Sequence, residues 1–468
     1  MRDGVAAPVG AVSSTRVSGG TIGATSGNAS GDETDAPAAD GAPATELPKL
    51  SAGAAGAALM KSMVGSGILA LPWALKRFGV ASGVAGLLVL AVINVVAIRL
   101  LIACRVRLFE LEGERTRVRE DVGTATLVPV GEDDDGIVPN PYEMVARRAV
   151  GPHFARACTC ALVAAQLGVV TAYLDVVTVT ALVLVPWCPR EAVLAALWLG
   201  LSVAGLLRGL SEVSWLALAG LSCYLFVIAA LVRYGMPRLR ERGASDLELF
   251  DPSGFGWWYG IAMFAFEGIG TVLPILEEMR TLARPEVFHA VVHTSYLTAF
   301  CFYVLVGGVG YVAYGSETAD VILFNFPPSL LTTLTTRSMA AMMLFSGVVQ
   351  IYPIHRIADG LARARFPSGG GGGSAHVSTG RRFALRALVT LVPAGIACVA
   401  PNVSTVVDLV GASCFSFLGV LAPVAMYLRL FADEVPRSQR ALLWLLGAFG
   451  LLGGAIGTLS PFVMDRRR

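Results

Sequence analysis

Two strings hold the residues best suited to do chemistry: KSMVGSGILALPWALKRFG, from Lys61, and YGIAMFAFEGIGTVLPILEEMR, from Tyr259. Each lies in an apolar run and contains a Gly-x-Gly pair, Gly65/Gly67 and Gly268/Gly270, followed by Leu-Pro at Pro72 and Pro274. A glycine weakens a helix by about 1 kcal/mol, and proline removes a donor and clashes with the preceding turn. Both helices should therefore break in mid-run. In lipid, unwound backbone is tolerated only where it lines a cavity. Paired interruptions at matching places in two halves of a chain point to a substrate site.

The chemistry of such a site follows from its backbone. The N-terminus of a half-helix offers unpaired N–H groups and a partial positive charge, which suit a carboxylate. The amides of Ser66 and Gly67, beside Val64 and Gly65, are the expected donors. Carbonyls freed at Phe264, Ala265 and Phe266, beside Gly268, would face an ammonium group. A molecule carrying both charges at fixed separation matches two facing breaks. The competing reading is that these glycines only allow close helix packing, as small residues do in membranes; two pairs tied to Leu-Pro favour the site. Glu267 is the sharpest single residue, since an ionised side chain at a span's centre costs about 2.5–3.5 kcal/mol on insertion scales. It either accepts a coupling proton, binds the substrate amine, or hydrogen-bonds the free amides of the first span and locks the two helices.

The surrounding elements must be membrane helices. Of 468 residues, 55% are hydrophobic and 15% charged, with mean hydropathy +0.66. A soluble chain carries roughly a quarter charged residues, so the excess apolar surface must meet lipid. The net charge of +2 excludes a nucleic-acid footprint. Eight cysteines show no Cys-x-x-Cys or Cys/His spacing, so neither a disulfide framework nor a metal site is expected. Residues 1–48 lack large apolar side chains and read as a disordered cytosolic tail without a cleavable signal peptide. The membrane domain is placed at 49–464. Its apolar runs, each near the ~20 residues that cross a bilayer, are 51–77, 79–104, 152–185, 191–208, 212–234, 255–279, 287–314, 331–356, 382–400, 403–429 and 440–463. The stretch 105–142 reads as a solvated loop, and 368–374, SGGGGGS, as a flexible linker. Loop arginines favour an inside N-terminus, with Arg233, Arg238, Arg240 and Arg242 the exception. Eleven spans then put the C-terminus on the opposite face.

The strings MVGSGILALPWALKRFG and FAFEGIGTVLPILEEM resemble the first and sixth spans of the amino acid/auxin permease family, which includes vacuolar and proton-coupled amino acid transporters. NPYEMVARRAVGP, QLGVVTAYL and PNVSTVVDLVGASCFSFLGVLAPVAMYL are similar to further family strings, in order, over about 49–463. The resemblance implies an all-α polytopic protein of about eleven helices, with the leucine-transporter-like 5+5 inverted repeat. It also implies cation-coupled amino acid movement by alternating access, with no cofactor beyond the coupling H+ or Na+. Tyr173 is similar to the family's substrate-facing tyrosine, against a plain buried aromatic. Ser346 matches a position near the coupling cation in related transporters, although one serine is a thin sodium site. Asp175 departs from the family's apolar residue and is expected near the outer water, a second proton site being the alternative. A second departure is Ala58, where proton-coupled members carry a His three residues before Lys61.

His289 and His293, one turn apart, lack the acidic companion of a zincin and read as surface residues. The reading is a secondary transporter of amino acids, neutral ones from the aromatic pocket, acting as a monomer in a vacuolar, lysosomal or plasma membrane. A nutrient sensor on the same fold is the alternative, and no enzyme constellation is visible.

Overall fold

The computed structural model describes residues 50–121, 140–204, 214–242, 247–279, 285–365, 379–400 and 402–464. The tail at 1–48, residues 122–139 of the expected loop and the SGGGGGS stretch at 368–374 lie outside the described residues. Among the described residues every regular element is helical: α1 Ala52–Met63, α2 Gly67–Phe78, α3 Val80–Asp121, α4 Pro141–Ala149, α5 Pro152–Leu184, α6 Arg190–Ala204, α7 Ser214–Arg242, α8 Phe255–Ala265, α9 Ile269–Glu278, α10 Pro285–Tyr314, α11 Leu330–Arg365, α12 Thr379–Val399, α13 Val403–Val410, α14 Ala422–Leu430 and α15 Arg437–Met464.

Among the described residues six stretches are long and apolar enough, by length and composition, to cross a membrane: Val80–Glu112, Pro152–Leu184, Pro252–Glu278, Pro285–Glu317, Val403–Leu430 and Arg437–Val463. The pair α1 and α2, bent by 54°, makes a seventh. Helices also lie at the other four expected positions, as α6, α7, α11 and α12. At 1.5 Å per residue, the 15 residues of α6 fall short of a ~30 Å hydrocarbon layer.

Helix ends follow local chemistry. The Ser51 hydroxyl accepts from the Ala54 amide, and the Asn140 side chain from the Tyr142 amide with Pro141 at the first turn. Asn402, which opens a glycosylation-type triplet, caps α13 by accepting from the Thr405 amide at 2.9 Å. Gly79 turns the chain from α2 into α3 at φ 91°, where a Cβ would lie 2.6 Å from the Leu249 carbonyl. That close approach lets Val80 donate to the Glu248 carbonyl and Asp251 to the Phe78 carbonyl, both at 2.9 Å.

One expectation is corrected. The stretch from 105 is not loop: α3 continues to Asp121. Its sequence, RVRLFELEGERTRVRED, is rich in Arg, Glu and Leu, which hold a helix without lipid. The extension is tied to its neighbours by charge. Arg105 pairs with Glu277 of α9 at 3.0 Å, Arg107 with Glu434 at 3.0 Å, and Glu112 with Arg148 of α4.

The core is continuous around α2 and α8. Trp73 meets Trp257 edge-on at 5.1 Å, and Phe78 and Phe255 pack on the buried Trp258. Beside it, α6 and α12 are joined by Ser202 to Thr390 at 2.7 Å and by the Trp198 indole donating to the Ala387 carbonyl at 2.9 Å.

Candidate functional site

The helix pair α1/α2 is interrupted over Val64–Ser66, and α8/α9 over Phe266–Gly268. The prolines do not form the interruptions. Pro72 and Pro274 are each the sixth residue of the half-helix that follows, well inside α2 and α9. The glycines and the short non-helical linkers carry the breaks.

The two interruptions touch. A Cβ on Gly67 would lie 2.9 Å from the Ala265 Cα and from the Phe264 ring, so this glycine is needed for close packing. A Cβ on Gly268 would meet Met63, Leu59 and Ser62 of α1. Thr271 donates to the Ser62 hydroxyl at 3.1 Å, which ties α9 to α1. Gly65 differs: its only near neighbour would be the Tyr173 hydroxyl, at 3.2 Å, and it keeps some exposure. The Ser66 side chain is buried, and its hydroxyl has no hydrogen-bond partner among the described residues. The amides of Ser66 and Gly67 stand at the start of α2, where a helix leaves its first donors unbonded.

The carbonyls expected to be free are occupied. Tyr303 of α10 donates its hydroxyl to the Ala265 carbonyl and, at 3.0 Å, shares it with the Met63 carbonyl. Tyr296, two turns earlier on the same face of α10, donates to the Phe266 carbonyl at 3.3 Å and stacks on the Phe266 ring. The Phe264 carbonyl accepts from the Glu267 amide at 3.1 Å. An incoming ammonium group must displace these tyrosines or bind beside them. Sequence reasoning missed both: they lie in an ordinary apolar span, and only the i, i+7 spacing of two tyrosines on one helix face could have drawn attention.

Glu267 sits in the α8/α9 interruption and is only partly buried, unlike Phe266 and Gly268 on either side. Among the described residues its carboxylate makes no hydrogen bond or ion pair, so it does not lock the amides of the first span. It lies within electrostatic reach of the Tyr173, Tyr296 and Tyr303 hydroxyls. Tyr173 of α5 also lies against α11, where a Cβ on Gly347 would come within 4.0 Å of its ring, so α1, α5, α8, α10 and α11 approach one another around this point.

Two candidates lie elsewhere. The Ser346 hydroxyl is buried and donates to the Met342 sulfur at 3.4 Å. Asp175, expected near the outer water, is 2% exposed and paired with the partly exposed Arg190, which also donates to the Ala397 carbonyl at 3.0 Å. Arg190 opens α6, fifteen residues after Asp175 and beyond the end of α5, so a span-by-span reading left the pair invisible. That clasp joins α5, α6 and α12.

Comparison with known proteins gives a consistent result. Residues 48–460 match the sequence profile described as "Transmembrane amino acid transporter protein". The chain is 26% identical to Vacuolar amino acid transporter 3 of Schizosaccharomyces pombe over 64% of its own length and 42% of that protein's. It is 31% identical to Amino acid transporter AVT3B of Arabidopsis thaliana over 44% of the chain and 46% of that protein. These two matches thus span less than half of each relative. Amino acid transporter AVT3C of Arabidopsis thaliana is 26% identical over 85% of the chain and 87% of its own length.

Proposed function

Because the chain belongs to the transmembrane amino acid transporter family, we propose that it is a multi-pass secondary transporter that moves amino acids by alternating access. The observation that carries this reading is the contact between the two helix interruptions, Gly67 against Ala265, with unbonded helix-start amides on one side and backbone carbonyls on the other.

In this reading the substrate carboxylate takes the amides of Ser66 and Gly67, aided by the buried Ser66 hydroxyl. The ammonium group takes the carbonyl edge at Ala265 and Phe266. Tyr173, Phe264 and Val64 bound a neutral side-chain space. The eleven helical positions run as a leucine-transporter-like 5+5 repeat, with the N-terminus cytosolic. Relatives named as vacuolar support a vacuolar-type membrane.

Glu267 accepts the coupling proton. It sits at the break, has no cation paired with it among the described residues, and can change charge as access alternates. The test is uptake of labelled neutral amino acids into proteoliposomes holding the full chain, with and without an imposed pH gradient. Accumulation that follows the gradient supports the reading. Uptake indifferent to pH but driven by sodium moves the coupling site away from Glu267, and no uptake of any amino acid rejects the function.

A further inference from the structure

Asp408 of α13 has no part in the site above. It is wholly enclosed, at 0% exposure, and neither carboxyl oxygen has a hydrogen-bond partner among the described residues. Its place is a seam closed by two glycines. A Cβ on Gly260 of α8 would lie 1.9 Å from the Asp408 Oδ1, and one on Gly411 would lie 1.8 Å from the Gly260 carbonyl oxygen. So α8 and α13 meet backbone to backbone. Gly260 is one turn before Phe264, and Phe264 packs edge-on against Phe415 at 5.6 Å. The carboxyl is therefore set against the last full turn of α8 before its break. The chain leaves α-helical winding here, running as π-helix from Gly411 to Phe415 and again from Phe417 to Leu421. Such π segments often accompany functional sites.

Among the described residues nothing nearby neutralises the group. The elements packed against α13 are α5, α8, the π segment and α15. On α8, Tyr259 bonds Ser416 at 2.8 Å. On α5, Asp175 is paired with Arg190, Tyr173 faces Gly65 and Gln350, and Arg156 contacts His153. Of the cysteines, Cys414 contacts the Ser413 hydroxyl, and Cys158 and Cys160 lie near the opposite end of α5. On α15, Arg440 donates to the Ala432 carbonyl, and Arg437 begins the same helix end. None reaches Asp408. An ionised carboxylate enclosed without a donor or a cation is strongly disfavoured, while a neutral acid is far less so.

We infer that Asp408 is a proton-binding site, holding a proton while α8 and α13 are in contact and releasing it when the seam parts and water enters. A transition-metal ion is disfavoured as the ligand, since no group of three or more His, Cys, Asp or Glu side chains gathers there among the described residues, and sodium is the alternative that the test below separates from a proton. This goes beyond the Glu267 reading. Proton binding would favour the closed seam, since a ligand stabilises the state that binds it, and so would bias the position of α8 independently of substrate.

Infrared spectroscopy of the full chain in liposomes tests this directly. Wild type should show the carbonyl band of protonated carboxylic acids, reduced in Asp408→Asn by the component that survives in Glu267→Gln. An identical band in wild type and Asp408→Asn overturns the inference. If Asp408→Asn does not reach the membrane, Asp408→Glu should shift the band, and an unshifted band overturns it equally. Loss of the band on adding sodium chloride at constant pH also overturns it, in favour of a metal cation. This readout needs no substrate, so a failure of amino acid uptake would reject the proposed function without touching Asp408.

Discussion

The Tyr303 hydroxyl lies 3.0 Å from the Met63 carbonyl and also donates to the carbonyl of Ala265, so one side chain of α10 joins the two helix interruptions. The Met63 carbonyl has a second donor in the Gly65 amide at 2.9 Å. Tyr303→Phe should therefore orphan chiefly the Ala265 carbonyl, at a cost of about 1–3 kcal/mol for a buried polar group. We expect a lower melting temperature for the substrate-free protein. The substrate ammonium would no longer compete with the hydroxyl, so the apparent KM should fall. An unchanged Tm together with a raised KM would show that the hydroxyl serves the bound state instead.

The two glycines of the first interruption should respond differently. Gly67→Ala drives a methyl into the backbone of Ala265, which has little freedom to move, and transport should be lost. At Gly65 the methyl meets only the far end of the Tyr173 side chain, so Gly65→Ala should keep partial activity with weakened binding. Full activity in Gly67→Ala or Gly67→Leu, measured on protein that reaches the membrane normally, would sink the assignment of this contact to the site.

Glu267→Gln mimics a permanently protonated side chain. Exchange of amino acid across the membrane requires no net proton cycle and should survive. Accumulation driven by a pH gradient should disappear. A parallel fall of both activities would make Glu267 an amine ligand or a structural residue; survival of both would move the driving ion elsewhere.

Breaking the Asp175–Arg190 pair should hurt stability more than chemistry. Arg190→Ala leaves a nearly inaccessible carboxylate without its cation, a change of about 3–5 kcal/mol for a fully buried pair. Because Arg190 keeps 32% of its side-chain exposure, the loss should lie at the lower end. Asp175→Asn with Arg190→Gln should recover much of the thermal stability. A single variant as stable as wild type would mean that the clasp contributes nothing.

Topology offers a separate check. Tags at Ser26 and Gly371 should be reached from one side of the membrane, the cytosolic one, and a tag after Arg468 from the other. A tag after Arg468 reached from the cytosol would mean that one of the eleven helical positions does not cross.

The sequence by itself determined where helices had to be and where two of them had to fail. Long apolar runs leave a chain in lipid no option but to satisfy its backbone internally, and the glycine pairs at Gly65/Gly67 and Gly268/Gly270 locate weak points in that pattern. Local patterning misjudged Arg105–Asp121, because charged residues end an apolar run without ending a helix. Tertiary structure decided what no local pattern encodes. Tyr303 fills carbonyls 38 and 240 residues away in the chain, Arg190 encloses Asp175, and Gly260 closes over Asp408. Each depends on which helix faces are brought into contact. Hydropathy fixes only that a face is apolar; the few polar groups that meet across it are chosen by packing.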